Sequence, residues 1–387
     1  MRFLATAFCV VLVFFRLQQT QARIIHVPGG QSTIQEGINA SASGDTVLVA
    51  PGTYCEHISF YGKAILLESE DEPGNTIISE VTDGVPLVTF DSGEDTTSIL
   101  QGFTIQGAKI FTLSNGAVRC QNSSCTIRNN ILTRNGGDVG SEGAVVWLEN
   151  SYANITNNQI RDNTHAIGIL CFDNSCRISV SRNLILRNWV GIDSHGHDRI
   201  VYNTFSSHPR FNVELYGQAL VENNIMADGG VGIENRSGTL TEFSHNDVWG
   251  NVTNCNGCSA GESNMSTDPI FCDPENDDYR LNPSSPCLGA GQGGTDVGAL
   301  GSGCVELKAK PKRYSQLPGH GDISGQEGAR SSQHTWLGRV RPSRPGQHFH
   351  RRRDHFGFRS SGHYGFRRVH SFRVHRHHRH HRCCLSH

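Results

Sequence analysis

Ile127-Arg128-Asn129-Asn130-Ile131-Leu132 and Val180-Ser181-Arg182-Asn183-Leu184-Ile185 share one pattern: an apolar residue, two variable residues, Asn, a variable residue and a second apolar residue. The pattern returns at Ile155 to Ile160, Ile200 to Phe205, Val221 to Met226 and Phe243 to Val248. It aligns Asn130, Asn158, Asn183, Asn203, Asn224 and Asn246 at separations of 28, 25, 20, 21 and 22. A second Asn follows five positions later at Asn135, Asn163, Asn188 and Asn251. Leu100-Gln101-Gly102-Phe103-Thr104-Ile105 is an earlier, atypical copy.

A period near 22, with short β-branched runs and no helical spacing between them, describes one coil of a parallel β-solenoid whose strands stack on those of the next coil. Leucine-rich repeats share the period but need recurring Leu at L-x-x-L-x-L spacing, which is absent. An Asn at the same turn of every coil can hydrogen-bond the backbone of its own and neighbouring coils, satisfying groups the turn would otherwise bury unpaired. Six copies point to a structural ladder, because a single active site needs one.

Working outward, the 34 Lys/Arg and 36 Asp/Glu of the 387 residues conceal two unlike parts. Residues 23–304 hold 14 Lys/Arg against 32 Asp/Glu, a net charge of −18; residues 305–387 hold 18 against 4, a net +14. The acidic body excludes nucleic acid as its partner. The basic tail has no hydrophobic periodicity and ends in a His/Arg tract from Arg373 to Arg382, so it reads as a disordered segment, or as the product of a reading frame that shifts after Cys304. At the other end Arg2, the apolar run Leu4 to Phe15 and the small residues Thr20 and Ala22 describe a cleaved secretory signal over 1–22. That run is too short to span a bilayer, which needs about 20 apolar residues. The domain division is therefore 1–22, 23–304 and 305–387. The protein is expected to be secreted or at the cell surface, monomeric and without a membrane span after cleavage. Ten cysteines in the body suit disulfides in an oxidising compartment better than zinc; Cys120/Cys125 and Cys171/Cys176 share one C-x4-C spacing.

The repeat resembles the right-handed parallel β-helix family with pectin-lyase-like architecture. Residues Gly44 to Tyr54 (GDTVLVAPGTY) are similar to the first coils of such secreted proteins. Asp268 to Tyr279, Pro283 to Cys287 and Asp296 to Ala299 are similar to their final coil. The resemblance implies an all-β, right-handed parallel β-helix over about 24–304. It leaves activity open, since the family includes lyases, hydrolases, esterases, epimerases and members without assigned chemistry. Thr33 to Ala40 (TIQEGINA) carries Ile34 and Ile38 four apart behind a possible N-cap at Ser32 or Thr33. It reads as a short amphipathic helix capping the open first coil.

A second column concerns function. Glu149, Asp173, Asp193, Glu214 and Glu234 each follow an apolar residue (Leu148, Phe172, Ile192, Val213 and Ile233), with spacings of 24, 20, 21 and 20. If the apolar partners point inward, the five acids point outward in one line. Trp147 stands two positions before its acid; His195, Tyr216 and Arg236 stand two positions after theirs. Carboxylates flanked by rings suit a polysaccharide or cell-surface glycan. Acids one coil apart, at ~5 Å, would match a retaining glycosidase and acids two coils apart an inverting one. Calcium bound by Asp173, Asp193 and Glu214 is the other expected use of a like-charged column. Asp193-Ser194-His195-Gly196-His197-Asp198 supplies the candidate catalytic residues Asp193, His195, His197 and Asp198. It only partly matches polygalacturonase and alginate-epimerase elements, and the paired-Asp segments of polygalacturonases are missing. Polysaccharide binding is the expected function; a lyase, hydrolase or epimerase acting on uronate-type glycans and a non-catalytic structural or adhesin module are the alternatives.

Overall fold

Each repeat turns three corners and lays one strand into each of three parallel sheets. The structure, a computed structural model, describes residues 21–304 except 80–83, 111, 113–114, 138–142, 238–239, 259–260 and 262. Residues 1–20 of the expected signal segment and the whole basic tail lie outside the described residues. The first sheet has ten strands, from Ile24–Val27 to Leu240–Ser244; the second and third have nine each, ending at Asp247–Trp249 and Thr253–Asn256. All neighbouring strands within the three sheets are parallel, as a chain that always winds the same way requires. The core runs inside the coil as columns such as Leu100, Ile127, Ile155, Val180, Ile200 and Val221, all fully buried. The sequence-derived parallel β-helix is the observed fold. Among the described residues no helix is long and apolar enough to cross a membrane.

The Asn column is a ladder between the first and second sheets. Asn158 N–H donates to Asn183 Oδ1 at 2.9 Å, Asn183 N–H to Asn203 Oδ1 at 2.9 Å and Asn203 N–H to Asn224 Oδ1 at 2.8 Å. In the other direction Asn183 Nδ2 donates to the Ile155 carbonyl and Asn203 Nδ2 to that of Val180. One amide thus serves two coils, as both its acceptor and its donor are used. The residue before each rung is left-handed, with φ near 55° at Asn129, Asn157, Arg182, Tyr202, Asn223 and His245. In the atypical copy Gly102 holds that place at φ 83°, and Phe103 N–H donates to Asn130 Oδ1, so this coil starts the ladder. Asn264, outside the six-copy pattern, ends it by accepting from Asn246 N–H at 2.9 Å.

A second ladder crosses the next corner: Asn135 N–H donates to Asn163 Oδ1 and Asn163 N–H to Asn188 Oδ1. Where the sequence shows no fifth-position Asn after Asn203, His208 fills the rung. Its Nδ1 lies 3.1 Å from the Asn188 N–H it accepts, and Nε2 lies 3.0 Å from the Ile185 carbonyl. With Nδ1 accepting and Nε2 carrying the proton, the imidazole serves both groups as an Asn amide would, although Nδ1 also lies 3.0 Å from the Asn188 carbonyl.

The two ends are treated differently. The helix Ile34–Ala40 covers the first coil with Ile34 and Ile38 fully buried. Thr33 Oγ1 accepts from Glu36 N–H, Glu36 Oε2 accepts from Ser32 N–H, and the Glu56 carboxylate takes the free Ile34 and Gln35 N–H groups. At the far end an antiparallel pair, Phe271–Asp273 with Asp278–Leu281, leads a segment onto the outside of the second sheet. There Tyr279 packs on Leu184 and Leu186, and Leu281 and Val297 pack with Ile225. Arg161 and Arg187 clamp the segment through Asp277, at 3.3 and 2.7 Å. Disulfides join Cys171–Cys176, Cys255–Cys258 and Cys272–Cys304. The expected pairing of all ten body cysteines is not met, because Cys120, Cys125 and Cys287 are buried thiols. Cys287 instead donates to Asp247 Oδ2 at 3.3 Å inside the terminal cap.

Candidate functional site

The register of the third sheet decides which side chains share its outer face. Arg119, Trp147, Leu170, Asp193, Glu214 and Glu234 are successive partners across six strands. Backbone bonds from Phe172, His195, Tyr216 and Arg236 to the coil before place these four, with Glu149, in the adjacent column. The expected five-acid line is therefore a three-acid line, Asp193–Glu214–Glu234. The alignment failed at the Cys171 coil: Phe172, read as an inward apolar residue, points out and is 42% exposed, while Cys171 is the inward residue. One residue of slip reverses every facing. Leu170 occupies the place expected for an acid, and Glu149 lies one column over, accepting from Gln121 Nε2. Asp173 is a turn residue: Oδ1 accepts from Cys176 N–H and from Ser175 Oγ, and Asn150 N–H also reaches it.

Asp173 therefore does not converge with Asp193 and Glu214, which removes the expected calcium set. No group of three or more His, Cys, Asp or Glu side chains among the described residues is placed to hold a metal ion. The repulsion expected along the column is offset by Arg236, whose Nε donates to Glu214 Oε1 at 2.7 Å and whose Nη1 lies 3.3 Å from Glu234 Oε1. Tyr216 donates its hydroxyl to Glu214 Oε1 at 3.0 Å, and Asn256 Nδ2 donates to Glu234 Oε2 at 2.8 Å. The hydrogen bond to Glu214 raises the Arg236 pKa further. Burial, then the Glu214 charge, raises that of Tyr216.

Asp193 is less well served. Its Oδ1 lies 3.3 Å from His195 Nε2, an ion-pair distance without the alignment of a hydrogen bond, and the atom is otherwise unpartnered. The contact with Asp193 raises the His195 pKa against partial burial, and the charges of Glu214 and Asp173 add to it. His195 stacks on Tyr216 with ring centroids 4.4 Å apart and an interplanar angle of 14°, and the Arg236 guanidinium lies 5.7 Å from the Tyr216 centroid. Tyr216 thus uses its faces on its column neighbours and offers its edge outward. Trp147, expected as a surface platform, is 1% exposed beneath Phe172 and Arg119.

The structure splits the four catalytic candidates. Asp193 and His195 stay together on the third sheet, but the chain turns at Gly196, where a Cβ would come within 2.0 Å of the Cys176 carbonyl oxygen. His197 and Asp198 belong to the first sheet, in His197–Val201. His197 is exposed and apart from the pair. Asp198 points inward, accepts from Ile178 N–H through Oδ1 at 2.8 Å and leaves Oδ2 unpartnered; burial pushes its pKa up to about 7. Sequence reasoning did not single out Arg119, Phe172 or His208. Only His208 left a readable signal, the filled gap five residues after Asn203.

The fold defines a parallel β-helix repeat protein. The family described as "Protein of unknown function (DUF1565)" matches residues 68–200. No curated protein matches the chain. Among solved structures, pectate lyase Pel9A aligns at 15% identity and a TM-score of 0.35, covering 73% of this chain and 97% of that one. A mutant of the PL6 family alginate lyase AlyGC aligns at 11% identity and a TM-score of 0.25, covering 75% of this chain and 60% of the other.

Proposed function

We propose that this is a secreted or cell-surface β-helix protein that binds polysaccharide along the outer face of its third sheet. The observation that carries the reading is the pair of adjacent columns, Asp193–Glu214–Glu234 beside His195–Tyr216–Arg236, stacked at one strand spacing per coil. At about 4.8 Å per coil the two columns run in line along the solenoid, a shape suited to a polymer. The partly exposed Asp193 accepts sugar hydroxyls, Arg236 and His195 donate, and the exposed Phe172 and Tyr216 rings offer apolar contact.

A glycan array probed with the purified full chain, followed by calorimetry on the best ligand, tests the reading. Binding should fall about tenfold in Tyr216→Ala, which removes the ring and the Glu214 hydrogen bond together. An array without any bound glycan ends the proposal. A catalytic reading is favoured by one feature, the Asp193–His195 pair, in which the carboxylate raises the proton affinity of a partly exposed imidazole. Reducing-sugar and unsaturated-uronate assays on the array ligands decide it, and no turnover with retained binding leaves a binding protein.

A further inference from the structure

The body carries 32 Asp/Glu against 14 Lys/Arg, yet one stretch of its surface presents arginines and no carboxylate. Arg177, Arg182 and Arg199 are exposed and form no ion pair among the described residues, whereas Arg23, Arg161, Arg187, Arg236 and Arg280 all do. The three stand on the outer face of the first sheet. Arg177 opens the strand Arg177–Ser181, and Arg182 follows it at the left-handed corner; Arg199 lies on the next strand, His197–Val201, beside Ser179. One strand spacing across and two residues along separate Arg177 from Arg199, about 8 Å between Cα atoms. The four successive strands from Ser124–Arg128 to His197–Val201 hold a single acid, Asp198, and it points inward. Glu222 on the following strand stands beside Val201 and accepts from Ser244 Oγ at 3.2 Å.

What lies between the guanidinium groups is also a donor surface. The Ser179 and Ser181 hydroxyls have no partner among the described residues, and Tyr152, 41% exposed, stands beside Arg177. We infer that this face binds a glycan bearing sulfate esters, held by Arg177, Arg199 and Arg182 with the two serine hydroxyls completing the shell. A sulfate ester presents three acceptor oxygens and no donor, which matches a face rich in donors and lacking carboxylates. A carboxylate fills one guanidinium fork and leaves the hydroxyls unused. DNA, with one charge per about 1.7 Å, brings far denser charge than these few arginines can offset beside a body of net charge −18. An anionic membrane needs apolar side chains to insert, and Tyr152 is the one large apolar side chain exposed on these four strands. The site is separate from the third-sheet columns. Its guanidinium groups run along the strands, so the ligand crosses the solenoid where the third-sheet ligand follows it.

The test titrates the full chain, at two salt concentrations, with a sulfated oligosaccharide, its desulfated form, an oligouronate of equal length, single-stranded DNA and phosphatidylserine vesicles. The sulfated chain should bind at least about tenfold more tightly than each of the others, roughly the worth of one charge-assisted hydrogen bond. Arg177→Gln and Arg199→Gln, both at exposed positions, should each weaken it about tenfold and reduce the salt dependence by about one contact. Arg134→Gln, the same loss of charge at another exposed corner, and Tyr216→Ala on the third sheet should stay within about twofold of the unaltered protein. The basic tail is present in every variant, so an affinity unchanged in Arg177→Gln and Arg199→Gln assigns the ligand to the tail or to another surface and overturns the inference. An equal fall in Arg134→Gln, equal binding of the oligouronate, DNA or vesicles, or no binding of the sulfated chain also overturns it. Binding of the sulfated chain alone, unaffected by Tyr216→Ala, supports this site and ends the third-sheet reading; its loss in Tyr216→Ala but not in Arg199→Gln does the reverse.

Discussion

The inner corners and the outer strip of the third sheet are built from the same coils by opposite rules. At the corners one side chain recurs because every coil buries the same backbone groups, and Asn183 serves its neighbours as Asn158 and Asn203 serve theirs. On the strip nothing recurs for more than three coils, and adjoining positions are Trp147, Leu170 and Asp193. Repetition marks where the backbone makes the demand; its interruption marks where the fold makes none and other uses are free to enter.

The largest expected effect breaks this division at its one mixed point, the corner between strip and core. Asp198 is buried with a pKa near 7, above the ordinary 3.8, so the folded state holds its proton more tightly than the unfolded state does. Stability should therefore fall as pH rises from about 4 to 7 and level off above, by up to about 4 kcal/mol from this group. Asp198→Asn should remove that part of the slope; urea titrations at pH 5 and 8 read it, and parallel profiles for both proteins would show that the group is not buried as described.

The ladder comes next. Asn183→Ala strands the Asn158 N–H and the Ile155 carbonyl in the core and should cost about 3 kcal/mol in denaturant melts. An unchanged midpoint would mean that these rungs do not bear on stability. His208 offers a finer version. Burial lowers its pKa to about 4 against the Asn188 and Ile185 carbonyls, which raise it, and the Arg187 charge adds to the lowering. Its contribution is present above the unfolded value of about 6.5 and is lost as pH falls toward 4, a change of about 3 kcal/mol. His208→Asn should restore the common rung and flatten that acid limb while leaving neutral-pH stability within about 1 kcal/mol; retained acid sensitivity would assign the limb to another group.

The smallest effect belongs to the strip. Asp193→Asn removes a carboxylate next to Glu214 and leaves Arg236 with both its partners, so melting should shift by less than about 0.5 kcal/mol. A loss of several kcal/mol would make Asp193 a structural residue and weaken its assignment to a ligand.

The fold was legible because the ladder Asn residues act on backbone groups two or three residues away and one coil away, so their spacing records the coil itself. The cap helix was legible for the same local reason: Ile34, Ile38 and the Thr33 cap lie within two turns of each other. The strip was legible from His195 to Arg236, where the coils are nearly equal in length, and failed at Asp173, where the Cys171–Cys176 turn carries the acid out of the strand.

The amino-acid sequence by itself thus determined the repeat, the parallel stacking, the ladder and the acidic character of the body, because each follows from local hydrogen-bond demand, hydrophobic alternation or charge count. Only the tertiary structure decided which acids share a face, that Arg236 neutralises two of them, that His208 is a rung and that Trp147 lies buried beside Arg119. Those facts depend on strand register between residues some 20 or more positions apart, and a side chain's facing reverses with a single step of register.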